Sequence, residues 1–440
     1  MTFDGDPQKL VRTPKAADRD APHPLYAVWE ITLKCDLACK HCGSRAGPTR
    51  PGELTTAECL DMVHQMADLG MREVTIIGGE AYLRDDWHLI AREISKVGMS
   101  CGMTTGARNL TDERLLQAVD AGLRVISVSI DGLEATHDAQ RGVKGSWRAA
   151  VDASRRIAKT PIRLATNTQI NRVSMPELPA LANLLVDIGS TAWQIQLTVA
   201  MGRGADRPGL LPQPYDLLDL FPLLVWIKQT TLDPNGVQLF PGNNIGYFGP
   251  YEQHLRYGGD RGAHWAGCSA GKWSIGLEAD GKIKGCPSLP STKYTGGNIR
   301  DMKLADVIAH TAELRYVRER TVDDLWGFCR TCYYADVCKA GCTWTSHCLL
   351  DRPGNNPYCI HRALDFERRG QRERVVKVEA APGLPFDNGR YEIVVEAMPP
   401  ADAIDTPKVL GVDLPRVMAM DPSERSALSK DELKRRLAKG

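Results

Sequence analysis

Three cysteines, Cys35, Cys39 and Cys42, stand at the spacing C-x3-C-x2-C directly after a strand-like run, residues 26–33. Three thiolates on one tight loop suit a cubane iron–sulfur cluster, which takes four ligands. One iron then has no protein ligand, and an open iron can hold a reactive ligand as well as store an electron. Eight more of the thirteen cysteines crowd between Cys268 and Cys359. Among them Cys329-x2-Cys332-x5-Cys338-x3-Cys342 is a dense, regular run, followed by Cys348 and Cys359. Such spacing points to metal. On spacing alone zinc competes with iron–sulfur chemistry, because four-coordinate sulfur sites are common for it. Cys59 and Cys101 stand alone and read as small buried apolar residues.

The elements around the first motif must hold it at the mouth of a sheet. Thr55-x-x-Glu58 is a capping box, followed by Cys59, Leu60, Met62, Val63, Met66 and Leu69 at helical spacing and closed by Gly70. Strands over 73–77, 100–104, 125–130, 162–170 and 192–197 alternate with helices over 87–97, 112–121, 147–158 and 176–188, and a last helix covers 215–231. Strands separated by helices of this length predict a parallel sheet with crossover connections. Six such units predict an α/β fold, a partial (β/α)6 barrel rather than a closed eight-fold one. Active sites of such sheets lie at the C-terminal strand ends. Three loops meet there: Cys35–Cys42, Gly78-Gly79-Glu80, and Ser129-Ile130-Asp131-Gly132.

Together these three motifs resemble the radical S-adenosylmethionine (radical SAM) superfamily, over residues 24–235. The resemblance implies a [4Fe-4S] cluster on Cys35, Cys39 and Cys42, with S-adenosyl-L-methionine on the fourth iron. It implies that Gly78 and Gly79 let the backbone approach the methionine moiety, that Glu80 pairs with its ammonium, that Ser129 meets the ribose and that Arg141 holds the carboxylate. His41 stands where an aromatic residue commonly packs near the adenine. The family usually continues Gly-Gly-Glu with proline; here Ala81 follows. The implied chemistry is reductive cleavage of S-adenosylmethionine to a 5′-deoxyadenosyl radical, which abstracts hydrogen from an unactivated carbon.

The second cysteine group resembles the SPASM extension of that superfamily. Its marks are Cys268-x12-Gly281-x4-Cys286, the four-cysteine run and a final cysteine, with a hairpin expected around Asp280-Gly281. The resemblance implies two auxiliary iron–sulfur clusters, an outer one on Cys329, Cys332, Cys338 and Cys359, and an inner one on Cys268, Cys286 and Cys342. The inner fourth ligand stays open between Cys348, a non-cysteine residue and the substrate; Cys348 and Cys359 are ambiguous by spacing, and the gap after Cys342 favours Cys359 for the outer cluster.

Of the 440 residues, 43% are hydrophobic and 25% charged, with a net charge of +1. That is a globular composition with no electrostatic bias toward nucleic acid or anionic membranes. The sequence holds neither a transmembrane run nor a signal peptide, so a cytoplasmic protein is expected, where thiols stay reduced. The expected division is a disordered arm (1–23), the partial barrel (24–235), a linker (236–265), a small α+β SPASM domain (266–365) and a C-terminal extension (366–440). The extension should hold a hairpin around Asn388-Gly389, and Ser429-x-x-Glu432 should cap a short basic helix. The leading expectation is a peptide maturase that oxidises or cross-links a ribosomally made precursor peptide. About 24 residues before the first strand leave no room for a leader-binding domain, so a separate leader-binding protein is expected as partner. A one-electron reductant such as flavodoxin or ferredoxin is expected as well. The alternatives are a dehydrogenase or epimerase acting on a small metabolite such as an alcohol or amino sugar, and a non-enzymatic iron–sulfur or zinc scaffold.

Overall fold

A computed structural model of the chain describes residues 23–256, 265 and 267–400, with Arg12, Pro14, Lys15 and Asp18 ahead of them. The terminal helix expected at Ser429 lies outside the described residues, as does most of the N-terminal arm. Where the arm is described it touches the barrel: Arg12 pairs with Glu73 (3.2 Å) and Asp18 with Arg72 (2.6 Å).

Six βα units run as the alternation requires. The strands are β1 (Tyr26–Thr32), β2 (Glu73–Gly78), β3 (Ser100–Thr105), β4 (Val125–Ser129), β5 (Arg163–Ile170) and β6 (Ala192–Leu197). Between them lie α1 (Thr56–Asp68), α2 (Trp87–Lys96), α3 (Asp112–Asp120), α4 (Glu134–Arg141), α5 (Ser146–Ile157) and α6 (Leu178–Asp187), and α7 (Leu217–Ile227) follows β6. The Thr55–Glu58 capping box forms in both directions, and α1 buries Cys59, Met62, Val63 and Met66. Cys59 and Cys101 are both core residues.

The sheet continues past the six strands at both edges. β7 (Gln238–Pro241), inside the segment expected to be a linker, pairs in parallel with β6. On the far edge β8 (Ser274–Leu277) pairs in parallel with β1, and β9 (Lys282–Lys284) and β10 (Thr295–Asn298) follow antiparallel. The order is β10-β9-β8-β1-β2-β3-β4-β5-β6-β7, one open ten-stranded sheet. The hairpin expected around Asp280-Gly281 is therefore an extension of the barrel sheet, and a single apolar core joins Trp29 and Ile76 to Ile275, Ile283 and Val307. The expected C-terminal hairpin forms from β11 (Gln371–Glu379) and β12 (Arg390–Ala397).

A buried ion cluster fixes the junction of β1 with the β8–β9 hairpin. Lys284, with 0% exposure, pairs with Glu278 at 2.7 Å, and Arg50 binds Glu30 at 2.8 Å and reaches Glu278 at 3.5 Å. The Phe386 ring, from the loop between β11 and β12, caps the Lys284 ammonium at 3.9 Å. Burial pushes the Glu30 carboxyl up to about 7, against the pull of Arg50. Breaking one partner of a buried pair strands the other, at a cost of roughly 3–5 kcal/mol, whereas replacing both by apolar groups costs little. Lys284→Met should accordingly lower the thermal midpoint by several degrees, and Lys284→Met with Glu278→Leu should recover most of the loss. Equal melting of the single variant and the parent chain would mean that the pair carries no such strain.

Candidate active site

The loop bearing Cys35, Cys39 and Cys42 is gripped from three sides. From α4, the Arg141 carbonyl accepts from the Ala38 N–H (3.0 Å) and the Gln140 carbonyl from the Lys40 N–H (2.7 Å). Gly142 ends that helix in the left-handed region at φ 71°, and a Cβ there would stand 2.6 Å from the Ala38 carbonyl oxygen. Only glycine meets both demands. From β2, the Glu80 N–H donates to the Lys34 carbonyl (2.8 Å), and a Cβ on Gly79 would lie 2.2 Å from that oxygen. The glycine requirement at position 79 is thus set by contact between two segments of this chain. From the C-terminal hairpin, the Phe386 N–H donates to the Gly43 carbonyl (3.2 Å) and Asp387 pairs with Arg45 (2.8 Å), which Asp206, in the segment after β6, also holds (2.6 Å).

One cavity of about 230 Å³ is lined by the three cysteines together with Gly78, Gly79, Glu80, Ser129 and Arg141. The structure therefore brings together every residue expected at the first centre. Glu80 is 2% exposed and accepts from the Gly106 N–H (2.7 Å) and from the Thr105 hydroxyl. Burial pushes its carboxyl up to about 7, which these hydrogen bonds only partly offset. A buried carboxylate in this state favours a cationic ligand group. Asn167 Oδ1, on the neighbouring strand, lines the same cavity buried and without a hydrogen-bond partner.

Asp131 connects the groups behind the cavity. Its carboxylate meets the Arg141 guanidinium at 2.7 Å and His41 Nε2 at 3.1 Å. Burial alone would raise the Asp131 carboxyl; Arg141 and His41 outweigh it and hold it well below the usual carboxylate range. Arg141 also reaches Cys39 Sγ at 3.7 Å, and its Nε is buried without a partner. The expected adenine neighbour, His41, is thus tied to a carboxylate. Sequence reasoning placed Asp131 in a motif without a role and missed Asn167 and Gln169. The readable signal was their polarity, two residues apart, within a strand buried in a parallel sheet, where runs are usually apolar.

The remaining cysteines fall into two sets. Cys329, Cys332, Cys338 and Cys359 line one small cavity walled by Tyr247, Phe248, Phe328, Tyr334 and His361. Burial and the neighbouring thiols raise Cys338, and burial pushes Cys359 up to about 12. Cys268, Cys286 and Cys342 form the other set: burial, then Cys268 and Cys342, push Cys286 up to about 12. Cys348, 0% exposed, is raised by burial and by Cys342 and Cys286. Cys359 thus lies with the outer set, as the gap after Cys342 favoured, and Cys348 lies beside the inner one.

These spacings discriminate between metals. Among the described residues the one triad of ligand atoms within 4.8 Å of one another is Cys35, Asp36 and Glu80; no three thiols come so close. Tetrahedral zinc–thiolate bonds of about 2.3 Å would set the sulfurs only about 3.8 Å apart. A cubane, with four irons at its corners, holds its thiolates farther apart, so the cysteine sets fit iron–sulfur clusters better than mononuclear zinc.

Residues 29–182 match the family model of the radical SAM superfamily, and residues 268–333 match that of the SPASM iron–sulfur cluster-binding domain. The chain is a radical SAM enzyme with a SPASM domain. This radical SAM enzyme binds S-adenosylmethionine and a [4Fe-4S] cluster, and the scaffold alternative falls. It is 28% identical over 350 residues to an AdoMet-dependent heme synthase of Methanosarcina barkeri, covering 77% of this chain and 97% of that one. It is 29% identical over 375 residues to the mycofactocin maturase MftC of Mycolicibacterium smegmatis, covering 82% and 90%. In fold it is similar to Streptococcus suis SuiB bound to the precursor peptide SuiA, with a TM-score of 0.56 at 16% identity over 73% of this chain and 72% of that one. No helix among the described residues is long and apolar enough to cross a membrane.

Asp131→Asn should weaken S-adenosylmethionine binding to the reconstituted enzyme by at least about tenfold, since it leaves the buried Arg141 without its countercharge and His41 without its carboxylate partner. Equilibrium dialysis measures this, with iron content as control. Unchanged affinity at equal iron would remove Asp131 from the cofactor site.

Proposed function

We propose that this radical SAM enzyme oxidises or cross-links a ribosomally made peptide at an unactivated carbon. The observation that carries the oxidative part is the presence of two further cysteine sets alongside the cofactor cavity, one of them four thiols around a single space. In this reading Cys35, Cys39 and Cys42 hold the [4Fe-4S] cluster, Glu80 receives the ammonium of S-adenosylmethionine and Arg141 its carboxylate, and Gly78, Gly79 and Ser129 line its path. When bound, cluster and S-adenosylmethionine supply an oxidant able to take a hydrogen atom from an unactivated carbon. The protein's own part is to orient substrate and cofactor and to keep water from the cavity. Cys329, Cys332, Cys338 and Cys359 hold an outer auxiliary cluster. Cys268, Cys286 and Cys342 hold an inner one, with Cys348 as its fourth ligand. An auxiliary cluster gives the second electron of a two-electron oxidation somewhere to go. The division into barrel, linker, SPASM domain and extension is kept as a functional one: the barrel makes the radical and the SPASM domain handles electrons.

The likeness to MftC and to SuiB, solved with its precursor peptide, supports a peptide substrate. A separate leader-binding protein and a flavodoxin or ferredoxin as reductant complete the reading. A second reading, a heme-forming oxidation, is supported by the likeness to the M. barkeri heme synthase over nearly all of that protein. Anaerobic reconstitution followed by mass spectrometry of a precursor peptide encoded beside the gene distinguishes the two. Loss of hydrogen from the peptide is the expected result; an inert peptide together with heme formation from a tetrapyrrole precursor would favour the second reading. About twelve irons per chain are expected for three cubanes. Cys35→Ala should abolish 5′-deoxyadenosine release, whereas Cys329→Ala should keep it and lose product. Full product from Cys329→Ala would make the outer cluster dispensable.

A further inference from the structure

We propose that the cleft between the two auxiliary cysteine sets is the docking surface for an acidic one-electron carrier protein. This rests on the reading that both sets hold iron–sulfur clusters.

The cleft, about 370 Å³, is lined by Lys272, Arg318, Arg320 and Lys339 and by no carboxylate. Its wall includes Cys268 of the inner set and Cys338 of the outer set. None of the four cations makes an ion pair among the described residues. Arg318 donates to the Gly271 carbonyl, and its Nε is buried without a partner. Arg320 donates to the Thr343 hydroxyl (2.9 Å). Acids close in sequence turn elsewhere or stay outside: Glu319 pairs with Arg315 (3.3 Å), Asp324 accepts from the Thr321 N–H (2.7 Å), and Asp336 lies on the exposed outer turn. That turn also presents Tyr333, 90% exposed, and Val337, 50% exposed.

Four cations in a concave site with no carboxylate on its wall favour a positive local field, which raises the encounter rate of an acidic partner. Small apolar contacts beside such a field suit the brief, small interfaces of electron-transfer proteins. A nucleic acid or a membrane would need a broader basic face, and the chain as a whole carries a net charge of only +1. Cysteines of both sets on the cleft wall bring both clusters near the docked partner. The step is the transfer of one electron between cluster and carrier: one is oxidised, the other reduced, with no bond formed or broken and no proton moved. In the oxidation proposed above, the electron leaving the substrate ends on the oxidised carrier.

The test uses reconstituted holoenzyme with a bacterial flavodoxin as probe. Iron and sulfide analysis comes first, because a chain holding only one cluster sinks the auxiliary-cluster reading, and the docking with it, before any carrier is added. With all clusters present, flavodoxin binding and stopped-flow electron exchange are compared for the parent chain, Lys272→Glu and the Lys272→Glu/Lys339→Glu double variant, with Lys272→Arg as control. Charge reversal should slow exchange about tenfold or more at low ionic strength and flatten its salt dependence, and Lys272→Arg should retain it. Photoreduced 5-deazariboflavin, a small uncharged reductant, should reduce the auxiliary clusters at an unchanged rate, and their paramagnetic resonance spectra should be unaltered. Lys272→Glu chains with native spectra that bind and reduce as fast as the parent would overturn the proposal.

Discussion

The candidate site depends on one buried carboxylate. Asp131 sits between the His41 of the cysteine loop and the Arg141 at the end of α4, within 3.1 Å of the imidazole Nε2 and 2.7 Å of the guanidinium. The same helix end offers its last carbonyls to the loop backbone, so helix and loop are joined by main chain as well as by side chain. A three-cysteine loop without metal has little intrinsic reason to keep one shape. The carboxylate and the helix terminus give it that shape before any ligand arrives, which is the usual requirement for a site that must bind with precision.

The sheet makes an equivalent connection on a larger scale. Because β8 pairs with β1 in parallel register, the hairpin leading to Cys286 grows from the strand that delivers Cys35. The two cysteine-rich regions therefore share backbone hydrogen bonds and an ion cluster as well as a surface contact. Relative motion between them would have to break strand pairing and expose Glu278 and Lys284, both almost wholly buried.

What the sequence disclosed follows from how locally each feature is encoded. The C-x3-C-x2-C loop, Gly-Gly-Glu and Ser-x-Asp-Gly are short, and their chemistry dictates residue type, so they were readable along with the alternation of strands and helices. The α4 helix escaped because it buries His137, Gln140 and Arg141 in place of an apolar stripe, leaving no hydrophobic period to detect. β7 escaped because four residues are too few for a pattern. The gap after Cys342 favoured Cys359 for the outer set, where it lies with Cys329 and Cys332; the place of Cys348, beside Cys342 and Cys286, needed the third dimension. The Arg45–Asp387 contact carries no local signature, since its partners are far apart in sequence.

That last contact bears on how the protein is made. Arg45 and Asp387 are separated by 342 residues. A ribosome adding about 5–20 residues per second takes roughly 17–70 s to cover that distance. Throughout this interval the nascent cysteine loop lacks the support of the C-terminal hairpin. The hairpin contacts to Gly43 and Arg45 therefore form only once nearly the whole chain has been made.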